Sequence, residues 1–218
     1  MLALVERIAY GISGRSRAKK FDQFLSLIDP KEHETIADIG VNTVEYSATD
    51  NYLEKFYAHP ERITAVGEGD MHDFAERYPS VTAVSGDGRS LPFSDDAFDI
   101  AYSNAVIEHV GARESQLSFL REFGRIAKRC YLTTPNRLFP VEIHTRIPLL
   151  HILLPKRAFD AVISKFGMGW AAGDYMHLLS ERELRSLLAD AGITDYAIIK
   201  NRFFGLPMTF TATWKKNS

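Results

Sequence analysis

The chain has 218 residues, with 26 Lys+Arg against 28 Asp+Glu for a formal charge of -2; hydrophobic residues make up 45%, aromatic 11% and charged 25%. These values exclude a disordered chain, a collagen-like chain and a polytopic membrane protein, and they point to one domain over residues 1–218 with room for a real core. The near-balanced charge argues against nucleic acid as the main partner, because phosphate neutralisation needs a basic face. Cys130 is the single cysteine, so an internal disulfide and a Cys-rich zinc site are both excluded. The start, MLALVERIAYGISGRSR, has no cationic leader and is interrupted by Glu6, so it does not read as a secretory signal. The apolar run Ile147 to Leu154 contains Pro148 and His151 and is too short to span a bilayer. The expected compartment is the cytoplasm.

In chain order, residues 1–28 read as one or two helices that cap the domain, with Lys19 and Lys20 on a solvated face. A strand is predicted at 35–40 and a helix at 51–58. Strand 63–67 and helix 70–78, stopped by Pro79, come next. Strands follow at 81–87 and 98–104. Residues 114–128 place Leu117, Leu120, Phe123 and Ile126 at helical spacing, and strand 129–135 closes the series. Residues 137–179 are far longer than the ~4–6 residues of a usual connection and read as a lid over the strand ends. Ser180 with Glu183 is a capping-box pattern, and Gly192 a stop signal for the helix between them. Two late strands, 193–200 and 208–214, flank the turn residues of RFFGLP and predict an antiparallel pair at one edge. Strands alternating with helices imply an α/β fold: an open seven-stranded, mostly parallel sheet with one antiparallel edge strand and helices on both faces.

Ligands of such sheets bind outside the carboxyl ends of the strands, near the point where strand order reverses. Small and acidic residues recur there: Asp38, Gly40, Val41, Asn42 and Thr43; Glu68 and Asp70; Asp87, Gly88 and Arg89; Ser103, Asn104, Glu108 and His109; then Thr133 to Asn136. An acidic rim suits a ligand with hydroxyls, an exocyclic amine and a cationic group, and does not suit a pyrophosphate. Gly-x-Gly-x-x-Gly is absent, which disfavours nicotinamide dinucleotides, and so is the Gly-x-x-x-x-Gly-Lys-Ser/Thr loop. His33, His59, His72, His144, His151 and His177 show no i, i+4 pair of histidines and have no cysteine in support, so no metal is expected. Asp95, Asp96 and Asp99 read as a turn and a strand entrance.

ADIG at 37–40, GDGRSLPFSDDAFDIAYSNAVIEHV at 86–110 and YLTTPN at 131–136 resemble class I S-adenosylmethionine-dependent methyltransferases, in particular a bacterial subgroup of the type 11-like enzymes. The resemblance covers residues 35–136 and implies a Rossmann-like fold with S-adenosylmethionine as cofactor. It implies that Asp38 and Gly40 lie beneath the cofactor, with the 40–43 backbone at its methionine part. Glu68 would bond the ribose hydroxyls, Asp87 the adenine amine, with Gly88 and Arg89 beside the ring. Ser103 and Asn104 would line the amino-acid moiety, and His109 would lie near the sulfonium. Two features depart from the family pattern. The Gly-rich loop is reduced to Asp38-Ile39-Gly40-Val41-Asn42-Thr43, whose β-branched Val41 and Thr43 resist positive φ, which leaves Asn42 as the left-handed residue. The acid expected at the end of the second strand is replaced by Gly67, so Glu68 or Asp70 substitutes; Asp70 could instead cap the following helix.

Methyl transfer needs an aligned nucleophile, exclusion of water and, for a hydroxyl acceptor, a base. His144, with Glu142 nearby in sequence, and His109 are the candidates; each could equally serve structure. Phe139, Leu149, Leu150, Leu153, Phe159, Phe166 and Trp170 could line an apolar acceptor pocket, complete the core, or form an interfacial face helped by Lys156 and Arg157. The expected acceptor is a small molecule or a glycan or lipid intermediate, methylated on oxygen, with a peripheral membrane contact compatible with this composition. The alternatives are a non-catalytic binding or partner subunit with an altered cofactor loop, and an enzyme that keeps the cofactor without transferring its methyl.

Overall fold

The computed structural model describes the backbone of residues 2–141, 147–169, 172–173 and 176–216, and side chains from Gly14 onward. Its strands are β1 (Ile36–Ile39), β2 (Ile63–Gly67), β3 (Thr82–Ser85), β4 (Phe98–Asn104), β5 (Ala127–Pro135), β6 (Tyr196–Phe203) and β7 (Leu206–Lys215). They form one sheet in the order β3-β2-β1-β4-β5-β7-β6. β1 to β5 are parallel, and β7 runs antiparallel to both β5 and β6. The antiparallel pair stands at one edge as the sequence predicts, with the reversed strand β7 one place in and β6 outermost. The order follows from apolarity: β7 buries Phe210, Ala212 and Trp214, whereas β6 is mostly half-exposed. Phe204 and Gly205, both at positive φ, make the tight turn between them.

Helices cover both faces. α1 (Leu2–Ile28), α2 (Tyr52–Phe56) and α3 (His72–Arg77) lie on one; α4 (Arg113–Arg125) and α7 (Glu181–Asp190) on the other. Strand alternation sorts the core accordingly. Ile36, Ile100, Tyr102 and Tyr131 point to the α1 side, whereas Ala37, Ile39, Ala101, Cys130 and Leu132 point to α4 and α7. α1 docks through Phe21, Phe24 and Ile28 at helical spacing. The Phe24 ring meets Tyr102 and Tyr131 edge-on at 5.0 and 5.4 Å. Lys20 departs from the sequence reading. It is buried at 6% exposure rather than solvated, because the turn of α1 that seats Phe21 and Phe24 also carries Lys20 inward. Lys19 is exposed.

The helix after residue 180 starts on the predicted capping box, with Ser180 and Glu183 bonded reciprocally, and stops before Gly192 at φ 81°. Residues 137–179 contain α5 (Leu150–Leu153) and α6 (Lys156–Lys165), which build a small core of their own from Phe159, Ile163 and Met176. The apolar residues predicted there divide: Phe159 is buried and Leu150 packs against that core, while Leu149, Leu153 and Phe166 are exposed. Trp170 lies outside the described residues. Among the described residues no helix is long and apolar enough to cross a membrane.

Candidate active site

Strand order reverses between β1 and β4, which are neighbours although β2 and β3 lie between them in sequence. At that point a cleft of about 440 Å³ opens at the carboxyl ends of the strands, within the ~300–1,000 Å³ typical of small-molecule sites. Of the residues expected at a cofactor, it brings together Gly40, Val41, Asn42, Thr43, Glu68, Gly88 and His109. Gly67, Gly86, Val106 and Phe119 complete the walls, with Tyr46 exposed at the rim. The glycines are there for close approach. A Cβ on Gly88 would come within 2.8 Å of the Phe119 ring, and one on Gly67 within 2.7 Å of Met71 Sδ.

The loop after β1 takes its own path. Its left-handed residue is Gly40 at φ 94°; Asn42 is not left-handed, contrary to the sequence expectation. Gly40 and Val41 both donate to Val66 O at 2.8 and 3.1 Å, which carries the β1–β2 pairing one step past the strand. Asn42 is held by Asn51, itself left-handed at φ 50°. Asn42 N–H donates to Asn51 Oδ1 at 2.9 Å, and Asn51 Nδ2 donates back to Asn42 O at 2.8 Å. A side-chain amide thus supplies the rigidity that glycines cannot. Arg17 of α1 fastens the far side of this loop, donating to Ser47, Thr49 and the buried Asp50, the last at 2.6 Å.

The other predicted residues have their polar atoms engaged elsewhere. Asp70 accepts from His72 N–H at 2.9 Å, at the start of α3. Asp87 and Arg89 bind each other through both carboxylate oxygens, and Arg89 holds the Asp87 carboxyl below its ordinary range. Ser103 is fully buried and donates to Ile39 O at 2.8 Å, tying β4 to the end of β1. Asn104 Oδ1 accepts from Lys20 Nζ at 2.6 Å and Thr133 Oγ1 at 2.7 Å. None of these five side chains lines the cleft. His144 and Glu142 lie outside the described residues.

Asp38 faces the α1 side of the sheet, away from Ala37 and Ile39, and meets a second buried acid, Glu54 of α2. Burial and the opposing Glu54 carboxyl push Asp38 well above the carboxylate range; Glu54 is also raised, chiefly by burial. Lys55 bonds Glu45 at 2.9 Å, and its charge offsets only part of the rise at Glu54. Each carboxyl therefore holds its proton to higher pH than an exposed one does. Lys20 brings a positive charge to the ends of β4 and β5; burial and the nearby Arg17 push it down to about 8. Sequence periodicity could have placed Phe119 on the apolar face of α4. Nothing local marks Glu54 or Lys20 as buried.

A second cleft of about 460 Å³ lies beside α5, α6 and the amino ends of α4 and α7. Its floor includes Leu154, Phe159, Met176 and Leu179, and its rim carries Arg113, Arg137 and Lys156. Arg137 pairs with Glu183 at 2.8 Å and Lys156 with Asp160 at 2.9 Å. The turn after β4 stands between it and the first cleft. Gln116 Nε2 donates to Ile107 O and His177 O at 3.2 and 2.9 Å, and His177 N–H donates to Glu108 O at 2.7 Å. His72, Asp73 and Glu76 form an exposed grouping on α3 with metal-ligand spacing, and none of them lines either cleft.

Residues 46–130 match the family model of a methyltransferase domain. No curated protein sequence matches the chain. Solved structures share the fold at low identity. An S-adenosylmethionine-dependent methyltransferase from Methanosarcina mazei is 19% identical, with 84% of this chain and 92% of that one covered at a TM-score of 0.56. One from Thermotoga maritima is 18% identical, with 99% and 96% covered at 0.58. One from Aquifex aeolicus is 16% identical, with 88% and 87% covered at 0.52.

Proposed function

We propose that this chain, a member of the class I S-adenosylmethionine-dependent methyltransferase superfamily by its fold and its methyltransferase domain, binds that cofactor in the cleft between β1 and β4 and methylates an acceptor entering from the second cleft. The observation that carries the reading is the convergence of Gly40 to Thr43, Glu68, Gly88 and His109 on one cavity at the topological switch point. The lining fits the cofactor. Gly86 and Gly88, packed close on Val66 and Phe119, bring backbone to the cleft beside Val110, which suits a purine ring, and the exposed Glu68 carboxylate suits ribose hydroxyls. Asp87, beside Gly86 and Gly88 but outside the cleft lining, would have to yield part of its pairing with Arg89 to accept from an adenine amine.

S-adenosylmethionine, when bound, supplies an electrophilic methyl group on a sulfonium. The protein supplies position and dryness. The loop held by Asn51 and Arg17 orients one ligand, and the turn carrying Ala105 to His109 separates the two clefts. His109, in the cleft wall with Nε2 3.9 Å from Glu108 Oε1, takes the proton of a hydroxyl acceptor. His144 is the second candidate base. The apolar floor and the rim of paired charges in the second cleft suit an amphipathic small molecule or a glycan or lipid intermediate methylated on oxygen.

Calorimetry with S-adenosylmethionine and S-adenosylhomocysteine tests the reading, with Glu68→Ala and Asp87→Ala beside the wild type. Micromolar binding, weakened tenfold or more by either change, is expected. Absent binding by the folded wild type would transfer the chain to the alternative, a non-catalytic partner subunit. His109→Ala should lower kcat while leaving cofactor affinity within about twofold.

A further inference from the structure

Phe204 sits at the tip of the β6–β7 hairpin at φ 46° and is 92% exposed. The first position of a two-residue turn with both residues at positive φ favours Asn, Asp or Gly. A phenylalanine there carries left-handed strain and recovers no burial. Leu149, before α5, repeats the pattern with φ 61° and 49% exposure.

These two positions belong to one surface. The Phe204 ring packs on Phe203 at 4.6 Å, and Phe203 on Phe139 at 6.4 Å. The Phe139 carbonyl lies 3.1 Å from His151 Nε2, and Leu149 N–H donates to Pro140 O at 2.6 Å. Leu138, Val141, Leu153 and Leu206 are exposed along the same path. The flanking charge is positive. Arg202 stands two residues before the hairpin tip, and α6 carries Lys156, Arg157 and Lys165 against Asp160 alone, in a chain of net charge -2. The hairpin tip extends past the pairing of Pro135 with Thr209, so this surface stands at the carboxyl end of β5, the end at which the cofactor cleft opens.

We propose that this surface docks on a lipid bilayer containing anionic lipids, with Phe204 and Leu153 entering the headgroup region and the lysines and arginines meeting the lipid charge. Exposed aromatic and aliphatic side chains ringed by cations are the pattern that interfacial binding requires. The docking face stands on this geometry alone. Its consequence, that the acceptor is lipid-linked or amphipathic and enters from the membrane plane, rests on the methyl-transfer reading.

Sedimentation of the full chain with vesicles of phosphatidylcholine, alone or mixed with phosphatidylglycerol, tests the proposal without any cofactor. Binding to the mixed vesicles is expected, at least about tenfold weaker in Phe204→Asn with Leu153→Ser. Phe204→Asn should meanwhile match or exceed the wild type in thermal stability, because asparagine suits the turn; a merely structural Phe204 would lower it. Failure of the wild type to bind mixed vesicles, or equal binding by the double variant, would overturn the proposal. So would a dimer in light scattering that the double variant dissolves while vesicles capture neither form, since the occupant would then be a second copy. Calorimetry with S-adenosylmethionine on the same variants keeps the cofactor reading separate.

Discussion

Replacing Lys20 with methionine should make the protein more stable at pH 7 and remove a pH dependence above it. The ammonium is 6% exposed and bonded to Asn104 Oδ1 at 2.6 Å, and burial with the nearby Arg17 lowers its pKa from 10.5 to about 8. That difference, at 1.36 kcal/mol per unit, corresponds to about 3 kcal/mol of penalty on the charged form in the folded state. The unfolded chain keeps the proton up to 10.5, while the folded chain releases it near 8. Between those values the unfolded state binds more protons, so stability rises with pH; below 8 the penalty is fully present. Methionine removes the charge, and Asn104 Oδ1 keeps the Thr133 hydroxyl at 2.7 Å. Urea unfolding at pH 7 and pH 10 should show Lys20→Met ahead by up to about 3 kcal/mol at the lower pH, roughly 1–2 M in midpoint, and level at the higher. Parallel pH profiles for the two proteins would refute the reasoning, since other titrating groups are common to both.

Gly40→Ala places a Cβ 2.4 Å from Val106 Cγ2 at φ 94°, and should cost about 2–4 kcal/mol from left-handed strain and overpacking. Adding Val106→Ala should recover the packing part alone, so a denaturation double-mutant cycle that recovers nothing would contradict the contact. Glu54→Gln removes the acid opposite Asp38. Because both pKa values are raised, wild-type stability falls as pH climbs above the ordinary carboxylate range, and the variant should flatten that decline in thermal melts from pH 4 to 7. Ser180→Ala breaks the capping box of α7 and should cost about 1 kcal/mol by urea unfolding.

Local chemistry alone specified most elements of this chain. β2 and β4 span the predicted residues, because a buried parallel strand is a short apolar run bounded by turn residues. The capping box and Gly192 marked α7 for the same reason: capping is a contact between residues three or four apart. The ligand end of the sheet was legible too, since strand ends in an α/β chain follow from element order. What the sequence left open depends on residues distant in the chain. Asn42 and Asn51 share the work of a missing glycine turn, nine residues apart. Lys20 reads as solvated by its own neighbours and is buried because Asn104, 84 positions later, lies beneath it. Asp38 reads as a cofactor residue by position, but strand alternation points it toward Glu54 on the opposite side from the α4 wall. Side-chain direction, pairing across the sheet and the electrostatic cost of burial belong to the packed molecule, because each is set by groups that meet only when the sheet closes under α1.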